Sequence, residues 1–456
     1  MPQENTTIAA VSTPRGKGGI AVIRISGPDA SAVADRIFFP SSGKALSECR
    51  TGMMIRGELR DGPETVDDGM AVLFRAPRSY TGEDTAELYC HGGVLLTQTV
   101  LSAAYNAGAV PAGPGEYTKR AFLSGKLSLS RAEAVISLID AENHRQLRLA
   151  AASVRGGLSA RLDELSAELT ELISSLFAAI DFPDEDLASL SDDELKAGIT
   201  ALRKKLEALE RTYKEGHAVA EGIPTVLCGL PNAGKSSLLN RILGRERAIV
   251  TDIPGTTRDT IEESASFGGA TLRLCDTAGI RRASDEAEAQ GVERAREALA
   301  SAELILLLID GSAEAEEQAE QELLDEVEAQ RVRGAEVIPL LTKSDRGTKR
   351  GFEGAIAVSA VTGEGMDALE KRIETLFLGE KIGSGDAVIV NARQHSAVCA
   401  ALECVRRAEA AAADGMTPDA LGIDLEAALA ALGECDGRAV SEKVVEDIFS
   451  RFCVGK

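Results

Sequence analysis

GLPNAGKSSLLNRIL, residues 229–243, decides how the centre of this chain folds. Its first eight residues fit the spacing GxxxxGK[ST]. They stand between an apolar stretch read as a strand, 225–228 (TVLC), and a helix expected to open near Lys235. Strand, Gly-rich turn and helix in that order form the context in which this spacing cradles phosphate. Glycines let the backbone wrap the anion, so that N–H groups and the helix N-terminus face it. Lys235 is expected to reach the β- and γ-phosphates, and Ser236 to bind Mg²⁺ through its hydroxyl. Asn232, Ala233, Gly234 and Ser237 line the same turn. An ordinary Gly-rich turn is the competing reading, and the flanking elements argue against it.

Downstream, strands and helices alternate. Residues 272–275, 304–309, 337–341 and 356–358 read as buried strands, which predicts a mostly parallel sheet. The residues after those strands separate GTP from ATP. Asp276, Thr277, Ala278 and Gly279 (DTAG) follow one strand; the Asp can hold the Mg²⁺ shell and the Gly279 N–H can sense a γ-phosphate. Thr342, Lys343, Ser344 and Asp345 follow another. A carboxylate at Asp345 accepts both N–H donors on the Watson–Crick edge of guanine, which adenine lacks, while the Lys343 stem covers the base. Ser359 and Ala360 come next and can offer a backbone N–H to the guanine oxygen. TKSD alone reads as a surface loop; in this order and at these strand ends it favours GTP. Guanine-nucleotide domains usually carry Asn where Thr342 stands, which puts the rigidity of that loop in question. In the intervening stretch 251–259 (TDIPGTTRD), Thr257 is the candidate to complete the Mg²⁺ shell.

Ras-like domains place a Gln directly after DTAG to orient the attacking water. Here that residue is Ile280, which cannot. Hydrolysis is then either very slow or served by another group: Arg281 or Arg282 through charge, Glu288 as an activator or orienter of water, or a monovalent cation in place of an arginine finger.

Outward from the centre, the pattern from about 125 to 217 is helical. Leu158, Leu162, Leu165, Leu169, Leu172, Leu176 and Ile180 lay one apolar stripe along a helix that Pro183 ends. A second helix is expected around 192–215, with Leu195, Leu202, Leu206 and Leu209. Residues 386–456 are helical again, so the simplest arrangement is a helical domain interrupted by the α/β one. Residues 1 to about 120 read as mixed α/β, with strands at 20–25 (IAVIRI), 70–74 and 85–89 between Gly and Pro punctuation.

Composition excludes several classes. The 456 residues suffice for roughly two to four domains. A net charge of −22 disfavours nucleic-acid binding through a broad basic face. Aromatics at 4% with no Trp leave little for base-stacking platforms. The acid-rich run 285–328 reads as a solvated helical face. Eight cysteines (49, 90, 228, 275, 399, 404, 435, 453) form no CxxC pair and no zinc spacing, so they read as reduced thiols in the cytoplasm. The N-terminal MPQENTTIAA lacks a signal-peptide pattern, and the longest strongly apolar run, 304–309, is far short of a membrane span.

Taken together, TPRGKGGIAVIRISG (13–27), YTGEDTAELYCHGG (80–93), GPGEYTKRAFLSGKLSLSRAEAV (113–135), AAIDFPDED (178–186), the nucleotide motifs and the final FCVGK (452–456) resemble the MnmE (TrmE) family of tRNA-modifying GTPases of bacteria and organelles. The resemblance covers essentially the whole chain. Val454 is a mild departure, since the family tail usually has Ile there. It implies four segments: a folate-binding and dimerising N-terminal domain (1–122), a helical domain in two parts (123–218 and 382–456), and an inserted Ras-like G domain (219–381). It implies a homodimer acting on tRNA with a flavin-dependent MnmG-type partner in a hetero-oligomer. The product is an aminomethyl or carboxymethylaminomethyl group on C5 of the wobble uridine, with carbon from a tetrahydrofolate derivative (5-formyl- or methylene-tetrahydrofolate). Arg24, Glu87, Lys126 and Lys456 match the folate contacts. Cys453 lies beside them and reads equally as a catalytic or a plain thiol. The family also uses K⁺ in place of an arginine finger. Asn232 matches its ligand, with Thr251, Ile253 and Thr256 completing the shell, and Glu288 matches the residue that orients water. The competing readings are a ribosome-assembly GTPase of the Era or Der kind and a scaffold with a degenerate G domain. The chain has no GXXG-type basic segment after its nucleotide motifs, and Lys235, Ser236, Asp276 and Asp345 are intact.

Overall fold

The computed structural model describes residues 6–14, 16–181, 191–245, 262–275, 297–314, 317–347, 349–378 and 387–456. The chain divides into two compact units, Met1–Ile136 with Gly433–Lys456, and Ser137–Leu432.

The first unit is built on a seven-stranded sheet. Its strands are β1 (Ile8–Val11), β2 (Ile20–Ser26), β3 (Phe38–Pro40), β4 (Ile55–Asp61), β5 (Glu64–Phe74), β6 (Thr85–His91) and β7 (Val110–Pro111), in the order β3-β4-β5-β6-β2-β1-β7. All pairs are antiparallel except β1 with β7. Alternation sorts each strand's side chains between two faces. On β2, Ala21, Ile23 and Ile25 are buried; on β6, Ala86, Leu88 and Cys90 are. Helices α1 (Ala30–Ile37) and α2 (Val94–Asn106) cover that face with Val33, Ile37, Val100 and Ala103. Arg24 and Glu87 therefore point to the other face, where the register sets them directly opposite each other.

After α3 (Glu116–Leu123) comes α4 (Leu129–Ile139). Near the C-terminus, α14 (Glu442–Ser450) packs Val445 and Phe449, with Phe452, against Leu129, Ala132 and Phe122. The tail is then pinned at three points. Val454 bridges Pro114, the Gly115 N–H donates to the Cys453 carbonyl at 3.3 Å, and the Ser12 hydroxyl donates to the Gly455 carbonyl at 2.9 Å.

In the second unit, α5 (His144–Val154), α6 (Gly157–Asp181) and α7 (Asp192–Glu210) come first. The predicted stripe of α6 is the buried one: Leu158, Leu162, Leu165, Leu169, Leu172 and Leu176 are all below a tenth exposed. Ser191 caps α7 in a reciprocal pair with Glu194. The helix expected at 192–215 is two helices: α7 ends at Glu210, and α8 (Thr212–Ala220) follows. Thr212 sits at the break because its hydroxyl has other partners, donating to the Leu209 carbonyl at 2.6 Å and accepting from the Ile389 N–H at 3.1 Å. Helix α12 (Ala392–Ala413) then lies along α7, joined to it by Arg203–Glu409 (2.7 Å) and Arg406–Glu207 (3.0 Å). Helix α13 (Pro418–Asp436) follows.

Between α8 and α12 lies a six-stranded sheet of β8 (Ile223–Gly229), β9 (Glu262–Phe267), β10 (Ala270–Cys275), β11 (Leu304–Asp310), β12 (Glu336–Thr342) and β13 (Ile356–Ala357). Its order is β13-β12-β11-β8-β10-β9. Only β9, absent from the sequence expectation, is antiparallel. One face buries Leu227, Leu272, Leu306 and Leu340 under α9 (Lys235–Arg245) and α11 (Met366–Phe377). The opposite face buries Val226, Ile305 and Leu307, with Val327 of α10 (Glu317–Val332). Both predicted classes of architecture are present: a mixed α/β N-terminal unit, and helices with a mostly parallel P-loop sheet. Among the described residues no helix is long and apolar enough to cross a membrane.

Candidate functional site

Strand β8 has β10 on one side and β11 on the other, so the strand order reverses at its carboxyl end. Ligands of open α/β sheets bind at such a crevice, and the loop 229–234 lies there. Two backbone features explain its glycines. A Cβ on Gly229 would sit 2.6 Å from the Leu308 carbonyl oxygen, and Gly234 takes φ +96°. Asn232 adopts φ 63°, the left-handed region that Asn tolerates better than most residues. Helix α9 starts at Lys235 as expected, with Ser236 and Ser237 exposed in its first turn. The Lys235 ammonium folds back onto its own loop, donating to the Gly229 carbonyl at 2.6 Å and the Leu230 carbonyl at 2.9 Å. The loop thus presents N–H groups, a lysine and an exposed hydroxyl at one helix N-terminus, a donor set suited to a polyphosphate with its Mg²⁺.

The base-reading loop sits beside this cradle and is tied to it. Thr342, at the end of β12, is buried, and its hydroxyl donates to the Ala233 carbonyl at 2.7 Å, with the Ile309 carbonyl at 3.2 Å. The hydroxyl therefore links the two loops, and the question raised by the missing Asn has a physical answer. Lys343 takes φ 61°, a conformation costing a non-glycine residue about 1–3 kcal/mol. Its ammonium holds Asp310 at 2.6 Å, fixing the stem. Asp310 also accepts from the N–H and hydroxyl of Ser312. Burial acts to raise the Asp310 pKa, but the bonds from Lys343 and Ser312 outweigh it and leave it below the usual value. Asp345 is exposed and accepts the buried Ser359 hydroxyl at 2.6 Å, which aims its carboxylate while leaving it open to a base edge. Ser359 also accepts from the Thr362 N–H, bending the 359–362 turn that carries Ala360.

Thr251, Ile253, Thr256, Thr257, Asp276, Thr277, Ala278, Gly279, Ile280, Arg281, Arg282 and Glu288 lie outside the described residues.

A second cluster occupies the outward sheet face of the first unit. Arg24 Nε lies 2.9 Å from Glu87 Oε1, and the Tyr89 hydroxyl donates to Glu87 Oε2 at 2.7 Å. Burial and that bond to Glu87 push the Tyr89 hydroxyl up to about 12. The Arg24 guanidinium stands over the rings of Tyr80 and Tyr117, at 5.6 and 5.7 Å. Tyr117 is fully buried and donates to the Arg24 carbonyl at 2.7 Å. The pinned tail brings Lys456 to this cluster. Its ammonium is held below its ordinary pKa by burial first and then by the Arg24 charge. With Glu87 paired to Arg24, these three side chains keep one net positive charge, beside a partly desolvated ammonium, which suits an anionic group. Lys126 donates to the Pro77 carbonyl at 2.8 Å, and Cys453 is an exposed free thiol.

The sequence reading missed Asp310, Tyr80, Tyr89 and Tyr117. Asp310 was legible as an acid at the carboxyl end of a buried strand; the tyrosines become significant only once the fold brings Tyr80, Tyr117 of α3 and Tyr89 of β6 to the Arg24–Glu87 pair.

A phosphate loop at a strand-order reversal, with a carboxylate loop tied to it, defines the class: a P-loop G domain, carried here between helices. Comparison with known proteins gives the family. The MnmE helical domain profile matches residues 129–453, and that of the GTP-binding protein TrmE N-terminus matches residues 7–126. The chain is 42% identical to the tRNA modification GTPase MnmE of Symbiobacterium thermophilum, over 99% of each chain. It is 40% identical to the protein of that name from Bacillus subtilis, over 99% of this chain and 100% of that one. With that of Roseiflexus castenholzii it shares 40% identity over 99% of each. The chain belongs to the MnmE family.

Proposed function

We propose that this chain is the GTP-hydrolysing component of a complex that adds an aminomethyl or carboxymethylaminomethyl group to C5 of the wobble uridine of certain tRNAs. The observation that carries this reading is end-to-end similarity to relatives named as tRNA modification GTPases, together with the donor sets of both clusters. The division into an N-terminal domain (1–122), helical segments (123–218 and 382–456) and a G domain (219–381) belongs to the same proposal, as do a homodimer and a flavin-dependent MnmG-type partner in the cytoplasm.

In this reading the 229–236 backbone and Lys235 orient the triphosphate in line for attack, and Asp345 selects guanine. Ser236, Thr257 and Asp276 would hold Mg²⁺, and Asn232 with Thr251, Ile253 and Thr256 would hold K⁺. Bound there, the two cations would supply positive charge against the charge that develops on the transferring phosphoryl group. Glu288 orients water where Ile280 cannot. Arg24 and Lys456, with Lys126, face the carboxylates of a tetrahydrofolate derivative, and Glu87 faces its pterin N–H edge. The pairing of Arg24 with Glu87 and the desolvated ammonium of Lys456 support that assignment.

The deciding experiment is nucleoside mass spectrometry of bulk tRNA from a strain lacking the gene. Unmodified wobble uridine should accumulate; a normal nucleoside profile would eliminate the function. A second measurement addresses the cation. Because a finger supplies about 10³–10⁵ in rate, GTP hydrolysis in K⁺ should exceed that in Na⁺ by roughly 10-fold or more. Equal rates would remove K⁺ from the mechanism.

A further inference from the structure

Three side chains with metal-ligating atoms meet where the chain passes from the helices into the parallel sheet and back. Glu210 is the last residue of α7. His395 and Cys399 are four apart near the start of α12 and so share one face of it. His395 Nε2 lies 3.2 Å from Glu210 Oε1 and 3.4 Å from Cys399 Sγ, and the three ligand atoms all lie within 4.8 Å of one another. The Tyr213 ring stacks on the imidazole at 3.9 Å and 10°, which fixes the plane in which Nε2 points. The imidazole and carboxylate side chains keep 27% and 35% of their surface exposed, so the cluster is open to solution.

Through hydrogen bonds Nε2 serves only one of its two partners at a time. If it carries a proton, it donates to Glu210 and offers the thiol no acceptor. If Nε2 is bare, it accepts from the thiol but faces the carboxylate oxygen lone pair to lone pair. A cation at the point of convergence satisfies all three at once. The two spacings from Nε2 suit it: tetrahedral zinc bond lengths imply ligand–ligand edges of about 3.3 Å for N···O and about 3.5 Å for N···S. One nitrogen, one sulfur and one oxygen are a set for a borderline transition ion; Mg²⁺ and Ca²⁺ take oxygen ligands.

We propose that Glu210, His395 and Cys399 bind a divalent transition ion of the zinc type, with its fourth position left to water. A thiol binds such an ion as its thiolate. Binding expels the thiol proton and forms the metal–thiolate bond. The ion joins the end of α7, which leads through α8 to the phosphate loop, to the start of α12, which follows the segment returning from the sheet. It therefore fastens the two connections of the sheet to each other.

The test is a Co²⁺ titration of the full chain, stripped with chelator and free of nucleotide and Mg²⁺. One equivalent should produce a thiolate-to-cobalt charge-transfer band and the intense visible bands of four-coordinate cobalt, and Zn²⁺ should bleach both. Cys399→Ser should abolish the charge-transfer band, and Cys49→Ser should leave it intact. His395→Gln should weaken binding by at least about 10–100-fold, the loss seen when only an outer partner of a ligand is removed. Zinc should raise the melting temperature of the parent chain and not that of Cys399→Ser, while the two melt alike in chelator. Absence of a thiolate band in the parent overturns the proposal whatever the variants do. So does a band that survives Cys399→Ser, because it then belongs to another cysteine.

Discussion

Replacing Lys235 with Ala is expected to lower single-turnover GTP hydrolysis by about 10²–10³-fold, the cost of removing one preorganised donor from a developing oxyanion. The lysine opens α9 and its ammonium rests on two carbonyls of its own loop. Those contacts hold it over the crevice where a β–γ bridge would lie, so nucleotide exchanges them for phosphate oxygens. Folding should be little disturbed. Gly229 and Leu230 are only half-buried, so water reaches their carbonyls, and a change within about 1 kcal/mol is expected. The check is phosphate release at saturating GTP and Mg²⁺, with a thermal melt run in parallel. An unchanged rate in a well-folded variant would mean that hydrolysis occurs elsewhere.

Asp345→Asn should weaken GTP binding by roughly 10²–10³-fold and improve binding of xanthosine triphosphate. The carboxylate is exposed and steadied by the Ser359 hydroxyl at 2.6 Å. Each N–H bond from guanine to a charged acceptor contributes about 1.5–3 kcal/mol, and tenfold in affinity corresponds to about 1.4 kcal/mol. An amide keeps one carbonyl oxygen, which Ser359 can still address, and replaces the other oxygen with a donor. That donor opposes the guanine amino group and matches the xanthine oxygen. Competition between the two nucleotides for a fluorescent analogue reads the exchange directly. Retained GTP preference would place base recognition outside this loop.

The phosphate loop was legible because its residues are contiguous and its chemistry is backbone chemistry: Gly229, Gly234 and Lys235 mean the same thing in a string as in a fold. The α6 stripe was legible for a similar reason, since a 3.6-residue period is local. Thr342 shows where the string stops. Its departure from Asn looked like a loss of rigidity, yet its hydroxyl reaches Ala233 across the sheet, and no spacing rule connects positions that far apart. Arg24 and Glu87 were singled out through family resemblance alone. What makes them a pair is the β2–β6 register, set by which alternate residues are apolar along both strands. The break at Arg211 was hidden because the partner of Thr212 is Ile389, far along the chain. The Glu210, His395 and Cys399 cluster was invisible for the same reason: two of its residues are an unremarkable helical i, i+4 pair, and the third arrives from another helix.

The bond between Thr212 and Ile389 also bears on how such a chain arose. The polypeptide leaves the helices and returns to them at almost one point. Seen from α7 and α12, everything between is a detour of nearly zero span. Closing a loop costs free energy that grows only with the logarithm of its length, and here the ends meet whatever lies between them. The closure cost at this junction therefore changes little with the length of the nucleotide-binding segment it holds, the condition under which a chain accepts such a segment between two of its helices.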